Sequence, residues 1–366
     1  MKGRVAVCKE HSKPFVIEEY EVPALEPGAI LLEMKQAGIC GSDLHYWRGD
    51  QTNVELPKTG RVMGHEGFGT VHSLGKGANR DSLGKSLREG DRIVYTAIFA
   101  CNHCRMCLKG MENLCINRPL PAAGDHPYFT GTFGDFLYLP PLHPVFKAPD
   151  SLPDEVLAPI NCATGTVTHG LISAGATQGQ TIVIMGAGGL GLTATAVAKD
   201  MGADQVIVLD RLENRLQLAL EFGADAVINI EIYDTIESRL EKVKALTKEK
   251  GADIVIELVG KPDLVTEGIP MLDNGGTFLE IGDIVKGGKA EIDPSLLLMG
   301  KRIIGSLMYP AHLIPKMMDF LERNLETRPF ARLVSHKFSL SDINHAFSEA
   351  EWNSRKTEVT RAVLIP

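Results

Sequence analysis

The segment "TIVIMGAGGLG" (181–191) constrains the fold more than any other stretch of the chain. A short apolar run ends in a glycine hexapeptide, and residues 190–200 are small, apolar and compatible with a helix. Gly186, Gly188 and Gly191 stand in G-x-G-x-x-G spacing, with Gly189 among them, and Asp210 closes the next apolar run, "QVIVLD". A strand, a glycine turn, a helix and a terminal acid together form a dinucleotide-binding fingerprint. The glycines allow close backbone approach, so that a pyrophosphate can rest on the helix N-terminus. Asp210 is placed to accept hydrogen bonds from the adenosine ribose hydroxyls, which favours NAD over NADP. Arg211 pulls the other way, because a guanidinium could bind a 2′-phosphate, and Arg215 could lie along the ribose edge.

The apolar runs continue with "DAVINI" (225–230), "DIVIELVG" (253–260) and "GTFLEIG" (276–282), separated by helical segments. Such alternation indicates a doubly wound parallel α/β sheet of the Rossmann type, covered on both faces. Before residue 155 the texture differs. Glycine, proline and short β-like runs such as "AILLEM" (29–34) and "DRIVY" (91–95) describe a compact, loop-heavy β domain. A chain of 366 residues is expected to hold two domains.

The net charge is −8, without a basic stripe, which argues against nucleic acid or an anionic membrane surface as partner. No apolar run is long enough to span a bilayer, and "MKGRVAVCKEHSKPF" has no signal-peptide core. The expected compartment is cytoplasmic, where clustered cysteines more often bind metal than form disulfides.

Four of the seven cysteines lie in "CNHCRMCLKGMENLC" (101–115). Their C-x2-C-x2-C-x7-C spacing differs from the ferredoxin patterns and suits a closed four-thiolate zinc shell with no position open to substrate. Cys101, Cys104, Cys107 and Cys115 are therefore expected to hold a loop, with His103 solvated. Cys40 opens "CGSDLHYW", and "GHEG" places His65 and Glu66 further along. One cysteine, one histidine and a third protein ligand is the composition of a catalytic zinc site.

The motifs "CGSDLH", "GHEGFGTV", the four-cysteine lobe and "GAGGLG" resemble those of the zinc-containing medium-chain alcohol dehydrogenases, along nearly the whole chain. The resemblance implies a GroES-like catalytic domain over 1–158 and 301–366 and a Rossmann domain over 159–300. It implies two zinc ions per chain, NAD, a small alcohol or carbonyl substrate, and a homodimer or homotetramer. Cys40, His65 and Cys162 become the ligands of a catalytic zinc. The polyol dehydrogenases of the family usually carry glutamate at the position of Cys162. Glu66 resembles an acid beside the metal, and Asp43 a carboxylate orienting the ligating histidine. Ser42 would take the alcohol's proton, which would then pass through the nicotinamide ribose to His45. Thr166 would pack near the nicotinamide and Arg361 bind the pyrophosphate, while Gly41 stands where many relatives have a basic residue.

Ala97 would enlarge the pocket for a secondary or cyclic alcohol, with Phe129 and Asp283 as further walls. A polyol dehydrogenase is the alternative. The zinc-free quinone and enoyl reductases lack this ligand set, a non-enzymatic protein would not need the Ser42–His45 relay, and a glutathione-dependent formaldehyde enzyme would need an anion-binding pocket.

Overall fold

The computed structural model describes residues 1–50, 56–118, 127–282, 285, 287–351, 357 and 359–366. The chain divides into two units. The first comprises 1–162, 310–323 and 330–366, the second 163–309 and 324–329. The expected boundary at 300 gives way to one at Tyr309, because the strand Arg302–Gly305 belongs to the parallel sheet. With only four residues it is too short for periodicity to reveal.

In the first unit, the strand Ile30–Gly38 is the spine of a seven-stranded sheet. Its side chains alternate between two cores: Ile30, Leu32 and Met34 join one apolar cluster and Leu31 another. Period-two alternation with both faces covered explains why "AILLEM" carries apolar residues on each side. The strand pairs antiparallel with Glu66–Leu74, and Gly38 lies opposite Glu66. On its other edge it pairs with Ala362–Ile365, where Gly38 faces Val363. Three distant segments therefore end side by side, just where the helix Gly41–Arg48 begins.

In the second unit, six strands are all parallel. Their order across the sheet is Ala226–Asn229, Gln205–Asp210, Thr181–Met185, Ala252–Glu257, Leu272–Glu280 and Arg302–Gly305. The sheet runs outward in both directions from Thr181–Met185, which is the doubly wound topology whose reversal point sits beside the first strand. Ile182, Val183, Ile184, Val206, Ile207 and Val208 are fully buried. Each such burial contributes roughly 1.5–3 kcal/mol, which explains why the runs are continuous and not alternating. Among the described residues no helix is long and apolar enough to cross a membrane.

Candidate active site

The register just described brings Cys40, two residues beyond Gly38, next to His65, one residue before Glu66. The third member is Cys162, on a π-helical turn, Ile160–Thr164. Such turns recur at functional sites because they re-aim a side chain within a helical segment. Cys40 Sγ lies 3.7 Å from Cys162 Sγ, and His65 Nε2 lies 3.3 Å from Cys162 Sγ. Around a tetrahedral zinc, with bonds of about 2.3 Å to sulfur and about 2.0–2.1 Å to nitrogen, donors stand about 3.6–3.8 Å apart. The cluster is therefore pre-shaped for such an ion. Among the described residues three donors converge, which leaves the fourth place of a tetrahedron without a protein ligand, and His65 keeps 26% of its side chain exposed.

Outer partners fix these ligands. Asp43 accepts the Cys40 amide proton at 2.9 Å through Oδ2, and its Oδ1 lies 3.5 Å from His65 Nδ1. One carboxylate thus caps the helix Gly41–Arg48 and orients the histidine. Burial disfavours a charged His65, but Asp43 and Cys40 together outweigh it and hold the imidazole well above its ordinary range. The hydrogen bond with Cys162 pulls the Cys40 thiol down and pushes the Cys162 thiol up.

Glu66 is fully buried and takes a hydrogen bond from Arg361 Nη1. Its Oε1 has no hydrogen-bond partner among the described residues. Burial raises the Glu66 carboxyl to about 7, against the pull of Arg361. Arg361, expected on a pyrophosphate, holds Glu66 through Nη1 within the first unit, while its Nε has no hydrogen-bond partner among the described residues.

The four lobe cysteines also converge. Sγ–Sγ separations are 3.5 Å for Cys104–Cys107, 3.9 Å for Cys104–Cys115 and 4.0 Å for Cys101–Cys107. The amides of Cys101 and Cys104 donate to the sulfurs of Cys115 and Cys101, each at 3.3 Å, which holds the loop around the four sulfurs. All four places of a tetrahedron are filled by protein, so this site fits a structural zinc.

In the second unit, Gly186 adopts φ +102° and the helix Gly189–Asp200 starts at Gly188 with no side-chain cap. A Cβ on Gly191 would meet Gly186 O at 1.8 Å, so only glycine lets helix and turn close together. A Cβ on Gly188 would meet nothing within 4 Å, which leaves the space a pyrophosphate needs beside the helix N-terminus. Asp210 Oδ2 accepts the Ala187 amide proton at 2.7 Å and Oδ1 that of Leu212 at 2.9 Å. The acid therefore also ties the turn to the end of its strand. Arg215 feels Asp210 as an attractive charge and Arg211 as a repulsive one.

Residues 26–150 match the alcohol dehydrogenase GroES-like domain, and residues 189–323 match the zinc-binding dehydrogenase domain. The chain is 30% identical to the 5-exo-hydroxycamphor dehydrogenase of Pseudomonas putida, with 94% of each chain covered. It belongs to the zinc-dependent medium-chain dehydrogenase family. It is also 34% identical to the L-threonine 3-dehydrogenase of Bacillus subtilis, over 76% of this chain and 75% of that one. The crystal structure of an alcohol dehydrogenase of Thermotoga maritima superposes with a TM-score of 0.90 at 30% identity, covering all of both chains.

Within this medium-chain dehydrogenase, Ser42 and His45 occupy positions i and i+3 of the helix Gly41–Arg48 and so share one face. Thr166 is buried in the helix Gly165–Ala174, its hydroxyl 3.9 Å from Met308 Sδ. Ala97 is half-buried just past the strand Arg92–Tyr95. Phe129 requires a correction. It is 1% exposed and packs with Val5, Val7 and Phe136 in a core cluster, so it forms no pocket wall. Asp283 lies outside the described residues.

Asn161 escaped the sequence reading. Its Oδ1 accepts the Gly67 amide proton at 3.0 Å and its Nδ2 donates to His65 O at 3.3 Å, which fastens the ligand strand to the turn carrying Cys162. The available signal was a polar residue among the apolar ones of "API" before Cys162.

Proposed function

We propose that this zinc-binding dehydrogenase reversibly oxidises a secondary or cyclic alcohol to a ketone, with NAD as hydride acceptor. The observation that carries the reading is the three-ligand cluster Cys40–His65–Cys162 with its fourth position open. A zinc ion held there would act as a Lewis acid on the substrate oxygen, and NAD would take up the hydride. The remaining work falls to the chain's own groups. Asp43 keeps His65 aimed, Ser42 receives the hydroxyl proton, and His45, on the same helix face, passes it on. Gly188 and the helix N-terminus receive the pyrophosphate, and Asp210 the ribose.

Two observations favour a secondary alcohol. The small Ala97 leaves room that a bulky aromatic residue would fill, and two relatives are named for substrates whose reacting hydroxyl is secondary. Cys162 in place of a glutamate argues against a polyol. The exposed outermost strand Arg302–Gly305 supports pairing with a second copy of the chain, a reading that light scattering would test.

The deciding experiment follows reduced-cofactor formation with NAD and NADP in parallel, over primary, secondary, cyclic and polyhydroxylated alcohols. Turnover of secondary or cyclic alcohols with NAD supports the proposal. Preference for polyols, or for NADP, overturns the corresponding half of it.

A further inference from the structure

The helix Gly41–Arg48 ends in Gly49, whose left-handed φ of +81° turns the chain back on itself. Asp50 therefore returns to the last turn of the helix. Its amide donates to His45 O at 3.1 Å, and its Oδ2 lies 2.8 Å from His45 Nδ1. The carboxylate is itself held: Arg48 Nε donates to the same Oδ2 at 2.8 Å, and Arg48 Nη1 reaches both oxygens of Glu351 at 3.0 and 2.8 Å. Arg48 and Glu351 keep only 13% and 12% of their side chains exposed, so this chain of contacts is largely shielded from solvent.

We propose that Asp50 is a positioning residue for proton transfer, fixing His45 as the Nδ1–H tautomer so that Nε2 carries the lone pair that accepts the proton. The inference rests on the reading of His45 as a proton relay. Its physical argument is local. A carboxylate oxygen 2.8 Å from a bare Nδ1 would set two lone pairs against each other, whereas an N–H between them makes a charge-assisted hydrogen bond. Arg48 Nη2, 2.9 Å from the same Nδ1, would favour the opposite tautomer. The contact with Asp50 decides between them: a carboxylate can only accept, so it requires a hydrogen on Nδ1, whereas Arg48 already donates through Nε to Asp50 and through Nη1 to Glu351 and does not depend on Nδ1 as an acceptor. This is the part played by the buried aspartate in a serine-protease triad, where it orients the histidine without being protonated itself.

Nitrogen-15 NMR of histidine-labelled protein tests the tautomer without any turnover. Wild type should show His45 protonated at Nδ1, and Asp50→Asn should show it moved to Nε2 or mixed. A wild-type His45 protonated at Nε2 would overturn the proposal. Kinetics supply the second arm. Asp50→Asn should lower kcat for alcohol oxidation roughly 10- to 100-fold with little change in KM for NAD, less than the roughly 100- to 10,000-fold that an acid–base group itself contributes, because Asp50 acts only through His45. Asp50→Glu should recover part of it. In a His45→Gln background, Asp50→Asn should cost nothing further, because both changes interrupt one path. The same fold-loss in both backgrounds would show that Asp50 does not act through His45. If His45→Gln alone turned over alcohol at the wild-type rate, the relay reading itself would fail, while the NMR result would still judge the tautomer.

Discussion

Arg361 and Glu66 form a buried ion pair beside the metal-type cluster, 4% and 0% exposed in their side chains. The pair joins the C-terminal strand segment to the residue next to His65. Removing one partner from such a pair costs up to about 3–5 kcal/mol, here because Glu66, its carboxyl at about 7 even beside Arg361, must take up a proton and lose its hydrogen bond. Arg361→Ala should therefore lower the thermal midpoint of the protein by several degrees. A variant that melts like wild type but binds NAD poorly would restore Arg361 to the pyrophosphate.

Cys40→Ala and His65→Ala should each abolish alcohol oxidation while leaving NADH binding, followed by fluorescence titration, within about twofold of wild type. The metal-type cluster belongs to the first unit and the glycine turn to the second. Zinc analysis should show the loss of one ion and retention of the other, since the lobe cysteines are untouched. Normal turnover by either variant would remove the cluster from the reaction.

Asp210→Ala should raise KM for NAD at least tenfold, which corresponds to about 1.4 kcal/mol, and leave KM for NADP unchanged or lower. It also strips an acceptor from the Ala187 and Leu212 amides, so a modest loss of thermal stability should accompany the kinetic effect. Equal KM shifts for both cofactors would mean that Asp210 only shapes the turn.

Glu257 supplies a pH-dependent term in the second unit. Burial, reinforced by the neighbouring Glu280, raises its carboxyl to about 8, while Oε1 accepts amide protons from Val259 and Gly260. A folded state that holds the proton more tightly than the unfolded chain loses stability as pH rises from the ordinary carboxylate range to about 8, and is indifferent above that. The slope is at most about 1.4 kcal/mol per pH unit. Glu257→Gln keeps the acceptor and removes the titration, so its melting temperature should fall less than that of wild type between pH 5 and 8. Parallel curves for the two proteins would assign the proton elsewhere.

The legible parts of this protein share one property, that their evidence lies within a short span of chain. The strand runs at 181–185, 205–210 and 252–257 could be read because burial on both faces of a parallel sheet demands continuous apolar residues. The four-cysteine lobe could be read because all its donors fall within fifteen residues. Strand Arg302–Gly305, at four residues, left no period to detect.

The sequence alone determined the α/β class, the dinucleotide turn and the closed metal lobe, since each follows from local spacing and backbone chemistry. Grouping Cys40, His65 and Cys162 needed a family resemblance, because no spacing rule connects residues so far apart. Tertiary structure decided their geometry, through the pairing of Gly38 with Glu66 and the π turn at 160–164. It also moved Phe129 into a core, set Arg361 on Glu66, and folded Asp50 back onto His45. Such contacts depend on which strands and turns pack together, and packing is a property of the whole chain.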